Sequence, residues 1–511
     1  MVFIKEVLKA IVIQPLSVGN IRQSGGRRRT DGNVSSAVLF SCLLAIIVVI
    51  IGVFGPLSLF NRSAKLLLWF LTMGLVLVSL ICIVFLSLMI FRNKRNWVDP
   101  RTESPDPATR LKVKFLWLFG CGTILQTALT AAINIDCLAI EDSLSTYYIG
   151  SLISSMFKVL YIVWQMGFIT YLQNSIFVSR KMVNYSVAVM IICNISIWCA
   201  VVSDEISHAL FNATDAEPPI QNDSLDSECS IKSKIYLFSS KIQPYLIPVR
   251  IEYLLLASMF VFRMWPTFRV VSVSPERELE ITSNSYHTGN RERITLIAAA
   301  ICASVTNLPF FIQTLLMATV YKGDTGVPFD VWHVIVSIHN VLNLILTFIC
   351  FHLLRRTAEV QICAWQPGAS EYILLLTNAG QAADDTFGLI AASGCYCLMS
   401  TTVQVSEVSS LLQAFFQTIF ILDSTRYRQQ TTNLSSRILR FTLIYLFISN
   451  LSFWFTATFI GLDGQVISEG QSDIFKDKAT WSVLESIVYP LFMFFRFHSA
   501  MYFYSLYHRF S

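Results

Sequence analysis

Twelve stretches of the chain are apolar for long enough to cross a bilayer as helix, which takes roughly 20 residues. They lie at about 34–60, 65–91, 113–138, 147–177, 183–203, 240–264, 293–320, 329–354, 371–400, 406–424, 438–460 and 479–507. Polar residues are sparse within them, and some of the sparse ones recur. The fifth stretch contains Cys-Asn194-Ile-Ser-Ile-Trp198, and the eleventh contains Ser-Asn450-Leu-Ser-Phe-Trp454. The stretch before each carries a glutamine, in Gln165-Met-Gly-Phe168 and Gln417-Thr-Ile-Phe420. A polar side chain is costly in hydrocarbon and faces either a protein partner or a water-filled space. The same costly pattern placed twice predicts a duplicated membrane unit with two related polar interiors.

Spans 4 and 5 thus correspond to spans 10 and 11. Each half holds an even number of spans, so both halves share one orientation, which is a parallel repeat about an axis along the membrane normal. The expected fold is an all-α membrane protein of twelve transmembrane helices in two parallel-repeated six-helix halves. Its expected parts are a cytoplasmic arm over 1–33, an N-terminal half over 34–264, a cytoplasmic linker over 265–292 rich in Pro, Arg, Ser and Glu, and a C-terminal half over 293–511.

Composition agrees with a membrane class. Of 511 residues 54% are hydrophobic and 14% charged, against about a quarter charged in a soluble domain. Lys and Arg concentrate in cytoplasmic loops. Most of the 38 here fall on one side if both termini are cytoplasmic, and reversing the topology inverts that bias. The net charge of +5 is therefore explained by topology, and no nucleic-acid partner is expected. Lys5, Glu6, Lys9 and Arg27-Arg28-Arg29 make the N-terminus unlike a cleavable signal, so the first span should act as an uncleaved anchor. The stretch 204–235 is acidic and holds two glycosylation sequons, at Asn212 and Asn222, which need a lumenal address to be used. Most of the 12 cysteines lie within spans. Cys137 and Cys229 fall in outer loops, where a disulfide is feasible.

Gln165 and Asn194 both fall near mid-span on sequential antiparallel helices and can meet; Gln417 and Asn450 repeat the arrangement. Two readings fit four such amides equally on physical grounds: helix glue at about 1 kcal/mol per bond, or the lining of a watered path. Span 6 carries Arg250, Glu252 and Tyr253. Residues two apart on a helix point to different faces, so Arg250 and Glu252 do not pair. A mid-bilayer carboxyl can relay a proton, or it can form a structural bridge; Lys158 and Arg496 are candidate partners for Glu252. Span 12 adds Arg496 and His498, and histidine titrates near physiological pH. Asp384 and Asp385 near the middle of span 9 face water or are protonated, unless the helix begins after them, which is the expectation adopted. No HExxH, nucleotide-binding glycine loop or Cys/His cluster with metal spacing is present, so neither enzyme chemistry nor a cofactor is expected. The span count and the duplication also disfavour a seven-helix receptor.

Five segments together resemble the otopetrin family: Lys158 through Gln165-Met-Gly-Phe, Cys-Asn194-Ile-Ser-Ile-Trp198, Pro248-Val-Arg-Ile-Glu252-Tyr253, Ser-Asn450-Leu-Ser-Phe-Trp454 and Phe495-Arg-Phe-His498-Ser499. The resemblance implies a proton-selective channel of twelve spans that assembles as a homodimer. It places a polar constriction of each half on Gln165 with Asn194 and on Gln417 with Asn450. It matches the family's span-6 carboxylate and tyrosine to Glu252 and Tyr253, and an acid-sensing outer site to Asp204, Glu205 and His208. The chain departs from the family pattern at Arg250, at Ile460 and at Asp384-Asp385.

The leading expectation is a cell-surface channel opened by extracellular acid, with protons moving along hydrogen-bonded water and titratable groups, and the first half favoured for conduction because Glu252 has no clear counterpart in span 12. The alternatives are a proton-coupled carrier of a small solute and a membrane scaffold.

Overall fold

The computed structural model describes residues 21–22, 29–30, 33–57, 62–99, 106–140, 145–213, 234–265, 290–321, 327–360, 369–394, 398–429, 434–460 and 478–510. Among these, twelve helices of 22 residues or more follow one another: α1 (Asn33–Leu57), α2 (Arg62–Arg92), α3 (Thr109–Ile140), α4 (Ser145–Leu172), α5 (Lys181–Ala213), α6 (Lys234–Met264), α7 (Asn290–Thr319), α8 (Val327–Thr357), α9 (Ala369–Gly394), α10 (Leu398–Ser424), α11 (Leu434–Phe455) and α12 (Lys478–Arg509). A π-helical turn, Thr456–Ile460, continues α11. Ten of the twelve are long and apolar enough to cross a membrane. The two outside that set, α9 and α12, carry Asp384, Asp385, Glu485, Arg496 and His498. The protein is an all-α membrane protein.

The helix ends differ from the apolar windows where polarity and backbone geometry part company. Helix α5 runs to Ala213, about ten residues past its apolar window, so Asp204, Glu205, His208 and Asn212 lie in helix and not in a loop. Backbone hydrogen bonds propagate a helix whatever its side chains, whereas hydropathy marks only the part suited to lipid. The side chains of His208 and Asn212, and all of Asn222 and Cys229, lie outside the described residues. Cys137 is disulfide-bonded. Helix α9 begins at Ala369, so the expectation that it starts after Asp384-Asp385 is overturned. Both carboxyls stand inside the helix because it turns them toward a polar cavity and away from lipid.

The chain divides into two compact units, residues 1–105 with 112–269, and 106–111 with 270–511. In the first, α5 packs against α1, α2 and α6, while α4 packs against α2 and α6. In the second, α11 packs against α7, α8 and α12, while α10 packs against α8 and α12. These pairings recur under a shift of six helices, whereas among the described residues α9 packs closely on α10 and α12 and α3 has no equally close packing on α4 and α6. Short ladders repeat as well. Strand β3 (Val98–Asp99) pairs antiparallel with β4 (Ile176–Phe177), joining the chain beyond α2 to that beyond α4. Strand β5 (Ala358–Val360) pairs with β6 (Tyr427–Gln429), joining the chain beyond α8 to that beyond α10. The apolar windows gave no sign of these ladders. A further ladder, β1 (Ile21–Arg22) with β2 (Arg29–Thr30), lies before α1.

Burial is uneven. Within their apolar windows α5 and α6 are 72% and 67% buried, whereas α1, α3 and α7 are near 20%. The outer helices bear large exposed apolar side chains such as Phe70, Ile81, Phe91, Ile301 and Val305. Such a surface suits lipid, where backbone groups are satisfied within each helix. The inner face of the second unit is built on Leu354, Leu374, Phe420, Leu443, Phe495 and Phe503.

Candidate functional site: two buried amide networks

Each unit closes around one amide pair. In the first, the amide nitrogen of Gln165 on α4 donates to Asn194 Oδ1 on α5 at 3.3 Å. Tyr161, one turn before Gln165, ties the two together: its hydroxyl donates to Asn194 Oδ1 at 2.8 Å and accepts from Gln165 Nε2 at 3.1 Å. From α6 the hydroxyl of Tyr253 donates to Gln165 Oε1 at 2.9 Å. Ser79 on α2 lies 3.4 Å from Tyr161. All of these side chains are buried, as is Glu252, the residue before Tyr253. The ring is tight and its members are uncharged, but Asn194 Nδ2 and the neighbouring Glu252 Oε2 are buried without hydrogen-bond partners.

Lys158 lies one turn before Tyr161, and its electrostatic neighbours are Arg250 on α6 and Asp204 on α5. Asp204 acts on Arg250 too. Of the candidates at the outer end of α5, Asp204 is thus an electrostatic neighbour of both cations. Asp204 is exposed and Glu205 half-buried.

In the second unit Gln417 on α10 and Asn450 on α11 form a reciprocal pair: Gln417 Nε2 donates to Asn450 Oδ1 at 3.0 Å, and Asn450 Nδ2 returns a bond to Gln417 Oε1 at 3.1 Å. Asn450 also donates to the Leu446 carbonyl. Gln413, one turn before Gln417, takes the place that Tyr161 holds in the first unit and donates to Gln417 Oε1. Arg496 on α12 stands where Tyr253 stands, as the partner from the sixth helix of the unit. Its Nη1 donates to Gln413 Oε1 at 2.7 Å and its Nη2 to Ser410 Oγ at 3.3 Å. The guanidinium lies over Phe453, 4.9 Å from the ring centre, a placement that attracts a cation to the ring. His498, two residues on, faces elsewhere, 3.3 Å from the Ser370 carbonyl and stacked on Phe494. The structure therefore gathers Gln417, Asn450 and Arg496 and sets His498 apart.

Arg496 also borders a cavity of about 180 Å³. Asp384 and Asp385 on α9, Glu407 on α10 and Glu485 on α12 line it together with His333 on α8. Phe310, Trp332, Phe453, Tyr489 and Phe492 supply aromatic walls. The π-helical turn brings Thr456 and Ala457 into the lining, and Tyr489 donates to the Ala457 carbonyl at 2.7 Å. π-Turns inside helices are frequent at functional sites. Asp385 accepts from Gln381 Nε2 at 2.9 Å, and Gln381 also reaches Ser410. Among the described residues no group of three or more His, Cys, Asp or Glu side chains is placed to hold a metal ion.

Glu407, Glu485, Gln413, Gln381 and Tyr161 escaped the sequence reading. Glu407 and Glu485 lie at the edges of apolar windows, where a charged residue reads as a loop. Gln413 and Tyr161 had a usable signal, since each stands four residues before the matched glutamine and thus on the same helix face.

Ten helices long and apolar enough to cross a membrane, packed around buried polar networks, define a multi-pass membrane protein. A family model for otopetrins matches residues 212–497, more than half of the chain; the protein belongs to the otopetrin family. Comparison with curated proteins gives no match.

Proposed function

We propose that the protein is a proton-selective channel of the plasma membrane, opened by extracellular acid and conducting protons into the cell. The observation that carries this reading is the duplicated amide pair, Gln165 with Asn194 and Gln417 with Asn450, wholly buried in a member of the otopetrin family. An amide constriction of this kind is too narrow for a hydrated metal ion, and an ion that cannot exchange its water for enough oxygen ligands is excluded. A proton needs no such exchange, because it moves by making and breaking O–H bonds along water and titratable groups. In the first half Glu252 accepts and releases the proton, Tyr253 and the amides hold water in line, and Asp204, Glu205 and His208 respond to outside acid. Gln417, Asn450, Arg496 and His498 are the corresponding candidates of the second half.

The twelve helices span the membrane as two parallel six-helix halves with both termini cytoplasmic, which the recurring helix pairings and the Lys and Arg distribution support. The parts are the arm 1–33, the halves 34–264 and 293–511, and the linker 265–292. Asn212 and Asn222 are glycosylated on the outer side, and two copies form a homodimer in the bilayer. Whole-cell recording with a step to acid outside pH, in sodium-free medium, tests the reading. Inward current that grows as pH falls is expected; its absence sinks the channel.

The cavity near Arg496 favours one competing reading, a proton-coupled carrier of a small solute. That reading requires proton movement to wait for the solute, so current evoked by acid alone overturns it.

A further inference from the structure

The cavity of the second unit is built as a wet, acidic chamber. Six buried polar atoms of its lining have no protein partner: both ring nitrogens of His333, Asn340 Oδ1, Gln381 Oε1, Asp385 Oδ2 and Arg496 Nε. Buried polar atoms are met by protein or by water, and a cavity of about 180 Å³ is large enough to hold water beside them. His333 is the most telling of these residues, because it is wholly buried and both of its nitrogens are without partners.

Asp385 on α9 and Glu407 on α10 line the same cavity and are electrostatic neighbours. The Glu407 side chain lies against Gly388 on α9, where a Cβ would stand 2.9 Å from its carboxyl carbon. Every titratable or charged group that lines this chamber can be named. Asp384 lies on the same helix as Asp385. Helix α12 presents Glu485, Tyr489 and Arg496, and α8 presents His333. Four carboxyls therefore face one guanidinium.

We propose that Asp385 and Glu407 form a proton-binding pair that loads the second half of the channel from the cavity water. This rests on the channel reading given above. A carboxylate of the pair takes a proton from a protonated water, the proton passes through cavity water to the other carboxylate, and water on the far side takes it back. Only O–H bonds form and break, and both carboxyls return to their starting state. Arg496, joined to Gln413 and through it to Gln417 and Asn450, sets a fixed positive charge where the chamber meets the constriction.

The test is recording of acid-evoked current from the full chain and from Glu407→Gln, Asp385→Asn and Glu407→Asp, each normalised to surface-labelled protein. In a Glu252→Gln background, where the current read is that of the second half, Glu407→Gln and Asp385→Asn should each lower it by about tenfold or more, the scale on which a positioned acid–base group contributes. Glu407→Asp should retain most of it. Should Asp385→Asn fail to reach the surface, the isosteric Glu407→Gln decides. In that background, Glu407→Gln with unchanged surface level and unchanged current across the pH range overturns the pair. A wild-type chain without current overturns the channel reading instead, so the two failures are distinguishable.

Discussion

The first unit ties its amides with tyrosines; the second pairs its amides reciprocally, backs them through Gln413 with an arginine, and places a cavity beside them. Tyr161 and Tyr253 each offer one neutral O–H, so the ring around Gln165 and Asn194 closes on itself without charge. Gln413 and Arg496 hold the equivalent positions around Gln417 and Asn450. A buried guanidinium needs compensation, and the carboxyls of α9, α10 and α12 provide it. One scaffold has thus been furnished twice, once as a compact neutral plug and once as a charged chamber. The lesson is that duplication preserved where polar groups point while leaving their charge free to differ. The expectation that conduction favours the first half rested on the isolated carboxyl Glu252, and it weakens once the second unit is seen to hold four.

The largest difference between the halves should appear on removing the cation of each. Arg496→Ala leaves Gln413, Ser410 and the chamber carboxyls without their partner, and truncating one side of a buried charged arrangement costs roughly 3–5 kcal/mol. Arg250→Ala, at a half-buried site near Asp204, should cost no more than about 1 kcal/mol. Thermal unfolding of the two detergent-purified variants measures this, and equal losses would erase the contrast.

Carboxyl replacement is the next test. If the halves conduct independently, Glu252→Gln leaves the current of the second half and Glu407→Gln leaves that of the first. The double variant should then fall by about tenfold or more below either alone. A Glu252→Gln chain as silent as the double variant would return conduction to the first half.

Water access separates the halves without any current. A cysteine at Ala457, in the cavity lining, should be modified by a small hydrophilic thiol reagent. One at Ser79, wholly buried beside Tyr161, should not. Site-resolved mass spectrometry reads the result, and protection at both positions would make the chamber dry. The smallest effect belongs to Tyr253→Phe, which deletes one donor to Gln165 and should cost about 1 kcal/mol; a larger loss would mean the plug is held more cooperatively than its single bonds suggest.

Much of the fold was legible because long apolar runs and a repeated Asn-x-Ser-x-Trp pattern are properties of the chain itself. Gln165, Asn194, Gln417 and Asn450 could be read as pairs because each stands out against an apolar background. The chamber was less legible. Asp384 and Asp385 were visible but argued against a helix, since the sequence does not show that α10 and α12 turn further polar groups to meet them. Glu407 and Glu485 were hidden at window edges. The two ladders, β3 with β4 and β5 with β6, depend on pairing between segments about seventy residues apart and leave no local trace.

The polarity of α9 has a further consequence, for biogenesis. An aspartate at the centre of a lone helix opposes insertion from the translocon by ~2.5–3.5 kcal/mol, and α9 carries two in succession. Helix α10 begins four residues after α9 ends, close enough to be delivered together as a hairpin with the carboxyls turned inward. A chain terminated at Gly394 should therefore leave α9 outside the bilayer, while one extended through Ser424 should bring it in. The feature that makes the second unit acidic also makes its assembly in the membrane a collective event.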